Sequence, residues 1–157
     1  MRRKDREITD FQEMIAIMER CDVCRIALHD GDFPYIVPLN FGLDVQGKQV
    51  FLYFHAALKG KKLDLIAKDN RAAFEMDCGH NLILNGEDMS CTMDYESVMG
   101  RGTIEIAPDE EKFGALKILM RHYHAEDFQF HTAPMKAAAV LKMTVTDMTA
   151  KRRNKNP

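Results

Sequence analysis

Residues 53–62 read YFHAALKGKK. One histidine, His55, stands at the seam between an aromatic, strand-like segment and a glycine followed by two lysines. An imidazole with an ordinary pKa of about 6.5 can give or take a proton near neutrality. Gly60 at a helix start leaves backbone amides without intrahelical acceptors, and Lys61 and Lys62 add two cationic side chains beside them. Such a turn suits an anion such as a phosphate monoester. Lysine is slightly unfavourable at the positive end of a helix dipole, a cost that a bound anion would offset. The same residues also read as an ordinary solvated helix start, and their spacing alone does not decide between the two.

Other reactive side chains suggest less. Cys21 and Cys24 form a C-x-x-C, and with Cys78 and Cys91 they reach the number of a four-thiolate zinc site or offer a redox pair. Cys24 falls inside a strand-like run, however, and positions 78 and 91 lack metal-ligand spacing, so buried reduced thiols are the expectation and no metal is assigned. His122 and His124 are two apart on a helix and do not face each other. His131, in FQFHTAPMK, reads as a loop histidine. The chain holds no G-x-G-x-x-G after a strand, no Walker loop, no G-x-S-x-G elbow and no H-E-x-x-H, which argues against the corresponding nucleotide, hydrolase and zinc-peptidase chemistries.

The elements that must position these residues follow from periodicity. With 157 residues and 46% hydrophobic content the chain supports one ordinary core, so one domain is expected over 1–157, with loose ends at 1–8 and 150–157. A net charge of −2 gives no global field for nucleic acid. The basic tail KRRNKNP reads as a solvated end. No apolar run approaches a membrane span and no apolar segment of a secretory signal follows the charged start MRRKDREITD, so a cytoplasmic protein without membrane contact is expected.

Thr9 with Gln12, or Asp10 with Glu13, can cap a first helix that carries Phe11, Met14, Ile15 and Met18 on one face. Alternation at Cys24, Ile26 and Leu28, the turn HDGDF, the run YIVPLNFGL, the turn DVQGK and the run QVFLYFH read as a three-stranded meander, with Pro38 at an edge or bulge. A short helix around Lys62–Lys68 follows. RAAFEMDC and CTMDYESVMGRGTIEIA read as strands separated by a polar loop, GHNLILNGEDMS, with Gly100 and Gly102 marking a bulge. Pro108 opens a helix that carries Phe113, Leu116, Leu119, Met120 and Tyr123 on one face, and AAAVLKMTV is a last strand. The methionines, eleven in all, read mainly as core filler. Many short strands with few helices favour a mostly β, α+β fold built as a closed barrel with peripheral helices, since closure removes exposed edges.

Four segments in order resemble the pyridoxamine-phosphate-oxidase-like FMN-binding split barrels, and among them the Nim-type 5-nitroimidazole-resistance branch. They are CRIALHDGDFPYIVPLNFG at 24–42, LYFHAALKGKK at 52–62 with Asn70 and Arg71 after the next helix, YESVMGRG at 95–102 and TAKR at 149–152. The resemblance implies a six-stranded antiparallel split β-barrel and a homodimer with an FMN at each of two sites between subunits. Val37, Pro38, Leu39 and Asn40 match the strand beside the flavin ring, and Phe54, His55 and Ala56 match the next strand. Lys61 and Lys62 match the phosphate-holding turn. Ser97, Val98 and Met99 match a segment near the cofactor, and Lys151 matches a lysine close to the C-terminus. His55 corresponds to the family histidine at the flavin, and the loop around His131 to a segment that can approach it.

The sequence also departs from the pattern. Glu96 stands where relatives often carry arginine, Ala56 and Ala57 replace hydroxyl residues, and Ala150 replaces the glycine before Lys151. The expectation is an FMN-dependent oxidoreductase, catalysed through His55, that passes reducing equivalents from a small donor to a small electron-poor acceptor such as a nitroaromatic. A flavin-binding module without turnover and a haem-binding split barrel are the rival readings.

Overall fold

A computed structural model describes residues 3–129 and 138–153. His131 and the last four residues lie outside this range. A 3-10 turn at Lys4–Arg6 leads into β1 (Glu7–Ile8), α1 (Phe11–Arg20), β2 (Cys24–Asp30), β3 (Phe33–Leu39), β4 (Gly42–Gln46), β5 (Gln49–Ala57), α2 (Lys61–Lys68), β6 (Arg71–Asn85), β7 (Ser90–Ile106), α3 (Lys112–His122) and β8 (Ala138–Arg153). All strand pairs are antiparallel, in the order β3-β2-β6-β7-β8-β5-β4, with β1 attached to β8. No helix among the described residues is long and apolar enough to cross a membrane.

The fold class is the expected one, mostly β with peripheral helices, and the barrel is split rather than closed. The run YIVPLNFGL does not form one strand of a meander. It breaks at Asn40 and Phe41, so that β3 pairs with β2 while β4 pairs with β5 at the far end of the sheet. Two features explain the break. Phe41 is fully buried and draws the chain across the core. Gly42 lies so close to α3 that a Cβ would sit 2.6 Å from the Leu119 backbone nitrogen. Pro34 and Pro38 are on β3, the end strand, where a missing N–H costs no ladder bond.

Eight strands replace the expected six, through this break and the addition of the two-residue β1. The polar segment 79–90, expected as a loop, largely continues both strands: Asn81–Asn85 pairs with Ser90–Asp94 after a register shift that follows Cys78. The bulge expected near Gly100 and Gly102 falls between Arg101 and Gly102 in the β7–β8 ladder. Within the ends read as loose, Glu7 pairs with Lys151 and Ile8 with Ala150.

Asp10, rather than Thr9, caps α1, accepting from the Glu13 amide at 2.9 Å. Ile15, Ile17 and Met18 turn inward from this helix onto Phe41, Leu52, Phe54, Met76, Leu141 and Met143, the main core. A smaller cluster of Tyr53, Ala107, Ala115 and Val140 lies under α3. Pro108 begins a turn instead of the helix itself, which starts at Lys112.

Candidate functional site

β5 alternates its side chains, with Leu52, Phe54 and Ala56 buried and His55 exposed opposite Val140 of β8. The β4–β5 ladder stops at Gly42 and Tyr53, so the segment Phe54–Ala57 is paired on the β8 side alone. β3 likewise pairs only with β2. Both strands that carry candidate residues therefore present a backbone edge outside every ladder. Exposed Phe33, Ile36 and Leu58 add apolar surface on β3 and after β5.

Gly60, at φ 142°, connects β5 to α2, and no side chain caps this helix. A left-handed backbone of this kind favours glycine. Its carbonyl accepts from the amides of Leu63 and Asp64. Among the described residues no acceptor meets the Lys61 or Lys62 amide. The Lys61 ammonium lies 2.5 Å from the Asp30 carboxylate, at the end of β2, and 5.2 Å from the centre of the Tyr35 ring on β3. The hydrogen bond to Asp30 raises its pKa. Lys61 thus ties the start of α2 to the end of β2 and to Tyr35 of β3, the strand that also carries Val37–Leu39.

Within that group the roles differ. Val37 and Leu39 are half-buried and pack on the core, while Pro38 is exposed opposite Arg25. The Asn40 amide group donates to the Asp22 carbonyl at 3.3 Å and to the Tyr123 hydroxyl at 3.1 Å. That hydroxyl accepts from the Phe41 amide and donates to the Asp22 carbonyl at 2.6 Å. The Asn40 NH2 is therefore committed to the break between β3 and β4.

Ser97, Val98, Met99 and Lys151 form a second group. Ser97 is opposite Lys151 and Val98 opposite Ala150 in the β7–β8 ladder. Val98 is fully buried and Met99 exposed, so Met99 offers its side chain to the outer face. Lys151 and Val140, the partner of His55, are far apart on β8: eleven residues at about 3.3 Å each is roughly 35 Å of strand. His55 and Lys151 therefore stand at different places along β8.

Glu96 accepts from Arg20 at 2.6 Å and from Arg152 at 2.5 Å. Burial alone would push its pKa up, but these two guanidinium partners outweigh it and hold the carboxyl below the ordinary glutamate value of 4.5. Arg152 also reaches Glu13 at 3.0 Å. Sequence spacing gave no sign of this network, because its members come from α1, β7 and β8.

The C-x-x-C pair does not stay together. Cys24 points into the core, whereas Cys21 neighbours Cys78. His122 is half-buried, its Nε2 is 2.8 Å from the Cys21 carbonyl, and its ring packs on Phe41 at 4.2 Å. Burial lowers its pKa, which favours the neutral imidazole. Among the described residues no group of three or more His, Cys, Asp or Glu side chains is arranged to hold a metal ion.

A family model described as pyridoxamine 5'-phosphate oxidase matches residues 10–152. The structure is similar to that of a candidate 5-nitroimidazole antibiotic resistance protein of Bacteroides thetaiotaomicron, at 32% identity and TM-score 0.80, covering 93% of this chain and 86% of that one. This chain belongs to the pyridoxamine 5'-phosphate oxidase family. Two more distant structures share its fold. One is an FAD- and heme-binding protein of Mycobacterium smegmatis, at 18% identity and TM-score 0.81, covering 97% of this chain and 75% of that one. The other is a flavocytochrome of Azotobacter vinelandii, at 17% identity and TM-score 0.80, covering 100% of this chain and 73% of that one. Among curated proteins none matches.

Proposed function

We propose that this chain is an FMN-dependent oxidoreductase that reduces a small electron-poor acceptor such as a nitroaromatic. The observation that carries the reading is the route from His55 through Gly60 into the uncapped start of α2, where two lysines and two free amides converge within seven residues of the histidine. Bound FMN would supply hydride or single-electron transfer to the acceptor. The residues present fit such a group: Lys61, Lys62 and their amides suit a phosphate dianion, and the open edges of β3 and of Phe54–Ala56 offer donors and acceptors to a polar ring edge.

Val37, Pro38, Leu39 and Asn40 define one side of this site. His55, exposed beside it, is positioned to deliver a proton to a reduced acceptor. Ser97, Val98, Met99 and Lys151, the last eleven residues along β8 from the partner of His55, complete the site of a second copy in a homodimer, with Val98 acting through its backbone. The names of the similar structures, which include FAD binding, heme binding and nitroimidazole resistance, support a flavin and leave haem as the rival.

The test is an absorbance spectrum of purified protein reconstituted with FMN, followed by anaerobic reoxidation with a nitroimidazole. Two flavin bands and steady reoxidation are expected, with His55→Ala keeping the bands and losing at least tenfold in rate. A single Soret band, or unchanged turnover in the variant, overturns the corresponding part of the proposal.

A further inference from the structure

We propose that Cys21 and Cys78 form an oxidative modification site, a dithiol that a hydroperoxide converts to a disulfide joining the end of α1 to β6. Cys21 is the C-cap of α1, and Cys78 is the last residue of β6 before its register shift. Both line a cavity of ≈ 550 Å³ shared with Arg20, Glu96 and His122. The Cys78 sulfur lies 4.0 Å from the Ile17 carbonyl in the last turn of α1 and 3.7 Å from a Glu96 oxygen. The two thiols are near enough for each to act on the other's ionisation.

This arrangement assigns the two parts of the reaction. Cys78 is the more accessible sulfur and meets the hydroperoxide first, whereas Cys21 is almost fully buried. Burial pushes both thiols up, so the chemistry is slow compared with an activated cysteine. The Cys78 sulfur attacks one oxygen of the hydroperoxide and breaks the O–O bond, giving a sulfenic acid and, from hydrogen peroxide, water. The Cys21 sulfur then attacks the Cys78 sulfur and expels the second oxygen as water, the two thiol protons ending on the waters. Two thiols are oxidised by two electrons and one peroxide is reduced to two waters. Cys24, although only three residues from Cys21, takes no part, because it does not line the cavity that Cys21 and Cys78 share.

The experiment uses the full chain carrying Cys91→Ser, which removes the exposed thiol and with it cross-linking between molecules. After exposure to hydrogen peroxide for hours, titration in denaturant is expected to show two of the three remaining thiols lost and recovered by dithiothreitol. Cleavage before aspartate separates Cys21 from Cys24, at Asp22, and isolates Cys78 after Asp77, so mass spectrometry identifies the bridge directly. Cys21→Ser and Cys78→Ser should each abolish it, and Cys24→Ala should not. Survival of all three thiols, or a bridge between Cys21 and Cys24, overturns the proposal.

Discussion

Lys61 illustrates how the site is poised one residue at a time. Its ammonium is held 2.5 Å from Asp30, so a phosphate arriving at the start of α2 competes with a carboxylate already in place. An exposed pair of this kind is weak and screened by solvent. Asp30→Asn should therefore tighten FMN binding modestly, measured by flavin fluorescence quenching, and weaker binding would contradict the assignment of Lys61. Lys61→Glu together with Lys62→Glu should lose FMN while the far-ultraviolet circular dichroism stays native, because both lysines are at the helix start and outside the core. Glu96 supports a pH prediction. Its folded pKa lies below its unfolded one, so its contribution is present above about pH 4.5 and fades as the pH falls through the lower folded value. Glu96→Gln should cost about 1–2 kcal/mol at pH 7 in urea denaturation and flatten the acid limb of the stability curve below about pH 5. His55 and the two lysines were legible in the sequence because helix and strand patterns put them at one seam. Asp30, Arg20 and Arg152 were not, because each meets its partner only through the folding of the sheet.

The elements that hold these residues depend on close approaches that single atoms can spoil. A Cβ on Gly102 would lie 2.0 Å from the Thr144 carbonyl oxygen, so Gly102→Ala should distort the β7–β8 bulge and cost about 3 kcal/mol or more in denaturant unfolding. Gly114, inside α3 with nothing within 4 Å of a Cβ, gives the opposite result: Gly114→Ala should stabilise by about 0.5–1 kcal/mol. The pair of variants separates crowding from helix propensity in one assay. The β7 bulge was legible because two glycines two residues apart rarely serve a regular strand. The continuation of β6 and β7 through residues 79–90 was not, because Gly79, His80 and Asn81 interrupt the alternation and Leu82 and Leu84 are exposed, so no buried face imposes a period. The break at Asn40 was equally hidden, since Tyr123, which secures it, is 83 residues away in sequence.

At the scale of the molecule, the two groups of candidate residues predict an assembly. Sedimentation equilibrium should give twice the chain mass of 18.0 kDa. Lys151→Glu should weaken FMN binding as the Lys61→Glu, Lys62→Glu variant does, and exchanging subunits between the two should restore roughly a quarter of the sites, because half of randomly mixed dimers hold one intact site of two. No restoration would mean that each chain builds its site alone. One resemblance-based expectation was legible across the whole chain, the split-barrel family itself, since its segments are spread from residue 24 to 152.

The strand order has a consequence for synthesis. β8 pairs with β1, β5 and β7, yet among the described strands it is the last to be made. While a ribosome is still translating residues before 138, β4 and β5 have no bridge to β6 and β7, and the nascent chain holds two unconnected sheet fragments with unsatisfied edges. Chaperone capture or misassembly should therefore concentrate in that interval and fall sharply once β8 emerges from the exit tunnel.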